Sequence, residues 1–178
     1  LEERNQAMIK YKDEKDKCYG IAGMAIGISI WNGENLLYKI DLDDEANDYI
    51  TFTSDFYFSG NPALPPVESW HQTLKRYQMT IGMLIANMMC RAFPTGGLKY
   101  QDVEDAIFET VAEEGRHSCQ LDDDEIKNLF QDAYSYMERA FRNQSVREIA
   151  RQFAAKLQEC RSLTNYEVKE LLGMLEEE

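Results

Sequence analysis

The sequence predicts an α+β protein, with an N-terminal three-stranded antiparallel β-meander packed on a C-terminal bundle of about five helices. Three observations carry that prediction. Between Ile21 and Phe58 apolar residues recur at every second position in short runs, the period of a half-buried strand. From Pro66 onward they recur at spacings of three and four, which places them on one face of a helix. Ser59-Gly60-Asn61-Pro62 and Pro65-Pro66 punctuate the change. A chain of 178 residues suits one compact domain. Its expected parts are 1–17 as an N-terminal helix or arm, 18–61 as the meander and 66–178 as the bundle.

Taken in order, Leu1–Lys17 is polar and charged, with Ala7, Met8 and Tyr11 on one side if helical. Ile26, Ile28 and Ile30 alternate with small residues and read as a first strand. Asn32-Gly33 follows as a hairpin turn, because both residues tolerate positive φ. Leu36, Tyr38, Ile40 and Leu42 form one face of a second strand, with Lys39 and Asp41 opposite. Ile50, Phe52, Phe56 and Phe58 form one face of a third, with Thr51, Thr53 and Asp55 opposite. So small a sheet needs a cover, which the helices supply.

The central helix is expected over Pro66–Phe93. Trp70, Leu74, Tyr77, Ile81, Leu84 and Met88 share one face, and Met79, Met83, Ile85, Ala86 and Met89 fill the others. A helix apolar all round is buried all round. It should stop at Pro94-Thr95-Gly96-Gly97. Val103, Ile107 and Val111 mark the next helix, Tyr100–Glu114, ended near Gly115. Asp122 with Glu125 forms a capping-box pattern ahead of Ile126, Phe130, Ala133, Met137 and Phe141. Ser145 with Glu148, and Thr164 with Glu167, are read as two further starts. The similar starts after Leu121 and Leu163 are not a repeat, since the intervals between successive helices are unequal.

Composition narrows the function. An apolar content of 44% supports a real core, and 29% charged residues support a soluble surface. The longest apolar runs, Ile21–Trp31 and Met79–Phe93, are shorter than the ~18–20 residues of a membrane span. No signal-peptide pattern opens the chain, and the cytoplasm is the expected location. The formal charge of −13 argues against binding nucleic-acid phosphates. Cys18, Cys90, Cys119 and Cys160 are widely spaced and fit reduced thiols, with Cys90 and Cys160 as small apolar fillers of helices.

Two leads remain. Both histidines follow a glutamate by three residues, as Glu68-Ser-Trp-His71 and Glu114-Gly-Arg-His117. Glu-x-x-His on a helix places carboxylate and imidazole together, and two such pairs facing across a bundle can hold metal ions. Glu109, Glu138 or Glu148 would supply further carboxylates. Helical phase puts Glu68 and His71 away from the apolar face, and Gly115 interrupts the second pair. The acidic loop Asp41–Asp48 has Ala46 and Phe52 where a calcium loop requires Gly and Glu, and reads as a solvated connection. No Gly-x-Ser-x-Gly is present; His117 and Cys119 are close in sequence, but a Cys–His pair works by spatial geometry, and Thr95-Gly96-Gly97 lacks the rest of a phosphate loop.

The second lead is interaction. Arg139, Arg142, Arg147, Arg151, Lys156 and Arg161 make Glu138–Arg161 a basic segment in an acidic chain. They are expected to pair with the acidic Asp102–Glu125 region, of the same chain or of a second copy. The sheet edge, with Tyr49, Phe52, Phe56, Tyr57 and Phe58, is a further candidate for dimerisation. The function expected is therefore that of a protein-interaction or accessory module without catalytic activity. It would take a protein partner or a second copy (a homodimer) and no cofactor. The alternative is a carboxylate–histidine metalloprotein using Glu68, His71, Glu114 and His117.

Overall fold

Glycine placement makes the first apolar run a helix rather than a strand. In the computed structural model, which describes residues 10–57, 65–95 and 101–173, α1 spans Glu14–Ile30. It is buried on every side through Cys18, Ile21, Ala22, Ala25, Ile26 and Ile28. A Cβ on Gly23 would lie 2.4 Å from the Ala86 carbonyl oxygen and 2.6 Å from Cys90 Cβ. One on Gly27 would lie 2.8 Å from Ala86 Cβ. The two backbones therefore meet along Gly23 and Gly27 on one helix and Gly82, Ala86 and Cys90 on the other. The predicted first strand is thus corrected. Ile26, Ile28 and Ile30 alternate, but with apolar neighbours on all sides the alternation carries no information about a sheet.

The predicted hairpin at Asn32-Gly33 is corrected for the same reason. Asn32 has φ 56° and ends α1 as a left-handed cap. Its N–H donates to the Ser29 carbonyl and that of Gly33 to the Ile28 carbonyl, at 2.8 and 2.9 Å. Asp13 caps the other end, accepting from the Asp16 N–H at 2.8 Å. Residues 1–9 of the expected N-terminal helix, Ala7 and Met8 included, lie outside the described residues.

The sheet consists of β1 (Leu37–Asp41), β2 (Ile50–Phe52) and β3 (Ser162–Thr164), antiparallel in the order β2-β1-β3. Ile40 faces Ile50 on one side and Leu163 on the other, so three buried side chains form a row across it. Its third strand comes from late in the chain, and the predicted N-terminal meander is corrected accordingly. Phe56 lies in a short helix, α2 (Ser54–Tyr57), stacked on Phe52 at 4.0 Å. Phe58 lies outside the described residues.

Seven helices are present among the described residues, so the protein is mostly helical, α+β in a coarse sense, with a small sheet. α3 (Pro66–Arg91) is the central one, and its residues 81–90 are all buried. α1 packs principally on it, and α4 (Gln101–Ser118) and α5 (Asp123–Arg142) cover other sides. α6 (Gln144–Cys160) packs on α1, and α7 (Asn165–Gly173) closes against β1 and β3. α3 ends at Arg91, followed by a 3₁₀ turn over Phe93–Thr95.

Several boundaries have identifiable causes. α4 continues through Gly115 instead of ending there. The Tyr77 hydroxyl donates to the Val111 carbonyl at 2.6 Å, and a Cβ on Gly115 would lie 2.5 Å from that hydroxyl. The glycine makes room for a tyrosine rather than stopping the helix. Asp122 and Glu125 form both halves of the predicted capping box. α6 starts before the predicted Ser145, because Asn143 accepts from the Ser145 N–H at 2.9 Å. Thr164 closes β3 and exchanges hydrogen bonds with Glu167 at the start of α7. All four cysteines are free; Cys18, Cys90 and Cys119 are buried, but Cys160 is exposed and does not fill a core position. No helix among the described residues is long and apolar enough to cross a membrane.

Candidate functional site

The first turns of α3 project beyond the core. Pro66, with its fixed φ and missing N–H, suits the first helical position. Val67 is 65% exposed and Trp70 41% exposed, so the predicted burial of Trp70 is corrected; Leu74 is half-buried and full burial begins at Tyr77. Yet Trp70 is fixed. Its indole N–H donates to the Cys119 carbonyl at 3.1 Å, and its ring meets that of His71 edge-on at 5.2 Å. This bond ties the start of α3 to the residue that follows α4.

Both Glu-x-x-His pairs consequently lie toward one end of the bundle. Glu68, His71 and His117 are exposed and Glu114 is half-buried. Burial raises the Glu114 carboxyl above the ordinary range, with the Arg76 guanidinium acting in the opposite sense. Burial also raises the Cys119 thiol, aided by Glu114, and Tyr77 is raised by its own burial and by Cys119 and Glu114. A buried thiol raised in this way is the reverse of an activated nucleophile. His117 is exposed while Cys119 is buried. Among the described residues no three His, Cys, Asp or Glu side chains are grouped so as to hold a metal ion.

From Arg139 to Arg151 the basic segment is engaged locally. Arg142 pairs with Glu138 and Arg151 with Glu148, each at 3.0 Å. Arg147 donates to the Phe141 carbonyl at 2.6 Å and lies 5.4 Å from the Phe93 ring. Arg139 lies 5.7 Å from the Tyr136 ring. These contacts are with neighbouring residues and the turn after α3, and the ion pairs to Glu138 and Glu148 each lie within one helix. In the Asp102–Glu125 region Arg116 pairs with Asp123 at 2.7 Å.

The acidic loop is likewise turned toward its own chain. Asp41 pairs with Lys39 at 3.1 Å, and Arg161 reaches both Asp43 and Glu14. The Asp44 carboxylate accepts from the Ala46 and Asp48 N–H groups at 2.9 and 3.0 Å. At the sheet edges β2 and β3 are three residues each, and Tyr49, Phe52 and Phe56 pack against the core. Of Tyr57 only the backbone is described.

A polar cluster missed in the sequence sits at the other end of α3. Asn87 is 3% exposed and donates to the Tyr11 hydroxyl at 3.0 Å. Arg91 grips Asp16 with two hydrogen bonds, at 2.9 and 2.6 Å, and donates to the Lys10 carbonyl at 2.7 Å. Its guanidinium lies 4.9 Å from the Tyr11 ring, whose hydroxyl burial pushes up to about 12. Gly20 leaves space for that ring, since a Cβ there would lie 2.6 Å from it. The signal was available: Asn87 and Arg91 are the polar interruptions in the otherwise apolar run from Ile81 to the end of α3. This cluster fastens the segment ahead of α1 to the core.

No protein-family model matches the chain, and neither does any curated protein or solved structure.

Proposed function

We propose that the protein acts by binding a protein partner at the end of the bundle where α3 begins and α4 finishes. Trp70 is the observation that carries this reading. A large indole held half-exposed by a hydrogen bond has little freedom left to lose when a partner covers it. Interface energy concentrates in such aromatic anchors. Val67, one turn earlier, extends the apolar surface.

The test compares the intact chain with Trp70→Ala in quantitative affinity capture, alongside sedimentation of both. Loss of a specifically captured protein in the variant, with its thermal midpoint little changed, supports the reading. A concentration-dependent dimer that Trp70→Ala dissolves would make the partner a second copy. Identical capture and identical sedimentation would rule this surface out.

The second reading is the carboxylate–histidine metalloprotein. What favours it is the Trp70–Cys119 bond, which draws the two Glu-x-x-His segments toward one end. Against it, no three His, Cys, Asp or Glu side chains are grouped to hold a metal ion among the described residues. Elemental analysis of protein prepared without a histidine tag decides it. Near-stoichiometric iron, manganese or zinc, lost when His71 and His117 are both changed to Ala, would establish this reading in place of the first.

A further inference from the structure

We infer that the partner segment covering Trp70 is basic, a lysine- or arginine-rich stretch carrying an apolar residue; this rests on the binding reading given above. The apolar contact is the exposed pair Val67 and Trp70. Its electrostatic setting follows from the hydrogen bond to Cys119. Three residues after that carbonyl the chain begins the run Asp122, Asp123, Asp124 and Glu125, all exposed. A chain advances at most about 3.6 Å per residue, so the Asp122 backbone lies within roughly 11 Å of the Cys119 carbonyl that Trp70 touches.

The cations nearby offset part of this. Arg116 pairs with Asp123 and neutralises one carboxylate of the run, and Arg76 donates inward to the Phe56 carbonyl at 3.4 Å. Lys75 and Lys127 are exposed on α3 and α5. The molecule as a whole carries −13. An acidic peptide, a nucleic acid or an anionic membrane would approach against that charge, whereas a basic segment is drawn in. The indole face adds a cation–π contact for a lysine or arginine, which a neutral segment could not use.

The decisive experiment is panning a random peptide library against the full chain, with Trp70→Ala protein as the counter-selection. Circular dichroism and the thermal midpoint verify that the variant is folded. The inference expects binders whose affinity falls about tenfold or more in Trp70→Ala, the scale of an anchor residue. Those binders should be enriched in Lys and Arg around an apolar residue. Their affinity should fall with added salt, and a few-fold in Asp124→Asn, a position outside the capping pair.

Trp70-dependent binders without basic enrichment would overturn the inference and leave the binding surface standing. Basic binders that Trp70→Ala retains in full would place the contact elsewhere and overturn both the inference and the proposed surface. The absence of any binder above the counter-selection background would also sink both.

Discussion

The two ends of α3 are built for different tasks. From Ile81 to Cys90 every position is buried, and the neighbouring helix comes so close that Gly23 and Gly27 have no space for a Cβ. From Pro66 to Gln72 the same helix is largely exposed, and one hydrogen bond from Trp70 fixes it to the residue after α4. Close backbone packing multiplies small dispersion contacts and makes the first region intolerant of added volume. The second leaves its tryptophan 41% exposed, so part of that ring is available to a partner. Stability and recognition are thus separated along one helix.

Substitutions that add or remove side-chain volume should expose this contrast most strongly. Gly23→Ala gains ~1 kcal/mol of helix propensity. It forces a backbone carbonyl at 2.4 Å to move, a cost expected to reach about 3 kcal/mol or more. Urea unfolding should register a net loss of roughly 2 kcal/mol or more. Trp70→Ala, measured in the same way, should cost less than this, because the tryptophan is 41% exposed in the folded state and most of the first turn of α3 lies outside the core. Comparable losses would erase the distinction between the two ends.

Next in size is Arg91→Met. Its ion pair with Asp16 is largely shielded, the two side chains being 15% and 12% exposed. Leaving the carboxylate without its guanidinium, with the Lys12 N–H still donating to it at 2.9 Å, should cost about 2 kcal/mol, less than a fully buried pair. Burial raises the Asp16 carboxyl, but the hydrogen bonds from Arg91 and the Lys12 N–H, together with the charges of those two residues, outweigh it and the net shift is downward. A carboxyl depressed in the folded state contributes stability that is present above its unfolded pKa, about 3.9, and lost as pH falls through the folded value. The gap between wild type and Arg91→Met should therefore be full at neutral pH and close in acid, below about pH 4. A gap that widened on acidification would contradict the assignment.

Tyr77→Phe should be milder, about 1 kcal/mol for the lost bond to Val111. The smallest effect is expected from Glu114→Gln, and its sign is the informative part. Burial raises this carboxyl in the folded state despite Arg76. Its contribution is fully present below the unfolded pKa, about 4.3, and is lost as pH rises through the folded value. The glutamine variant avoids that loss and should be slightly more stable than wild type at pH 7. Thermal unfolding at pH 4 and pH 7 reads this directly, and a variant less stable at pH 7 would show that Arg76 dominates.

Amphipathic periodicity made the long helices legible. α5 was marked by its Asp122–Glu125 box and its apolar face, and the second half of α3 by apolar residues on every side. The same all-round burial hid α1. Once both faces of a segment are apolar, a period of two in Ile26, Ile28 and Ile30 can arise by coincidence. The helix-specific information lay in Gly20, Gly23 and Gly27, which has meaning only beside Ala86 and Cys90. Asn32 fits a left-handed helix cap as well as a hairpin, and only the element before it decides which. β3 is three residues long, and its partner lies more than a hundred residues earlier. Gly115 resembled a terminator because the residue needing its space, Tyr77, belongs to another helix. At the candidate site, spacing placed Trp70 on the apolar face, but periodicity cannot say where along a helix the core ends.

Amide hydrogen exchange across α1 and α3 tests the central claim most directly. Amides of Ile21–Ile30 and Ile81–Cys90 should exchange together and last, at the free energy of global unfolding, because neither helix can separate without the other losing its partner. Amides around Trp70 should exchange earlier, through local opening. If Ile21–Ile30 instead exchanged as fast as the start of α3, the glycine-lined contact would not be what holds this fold together.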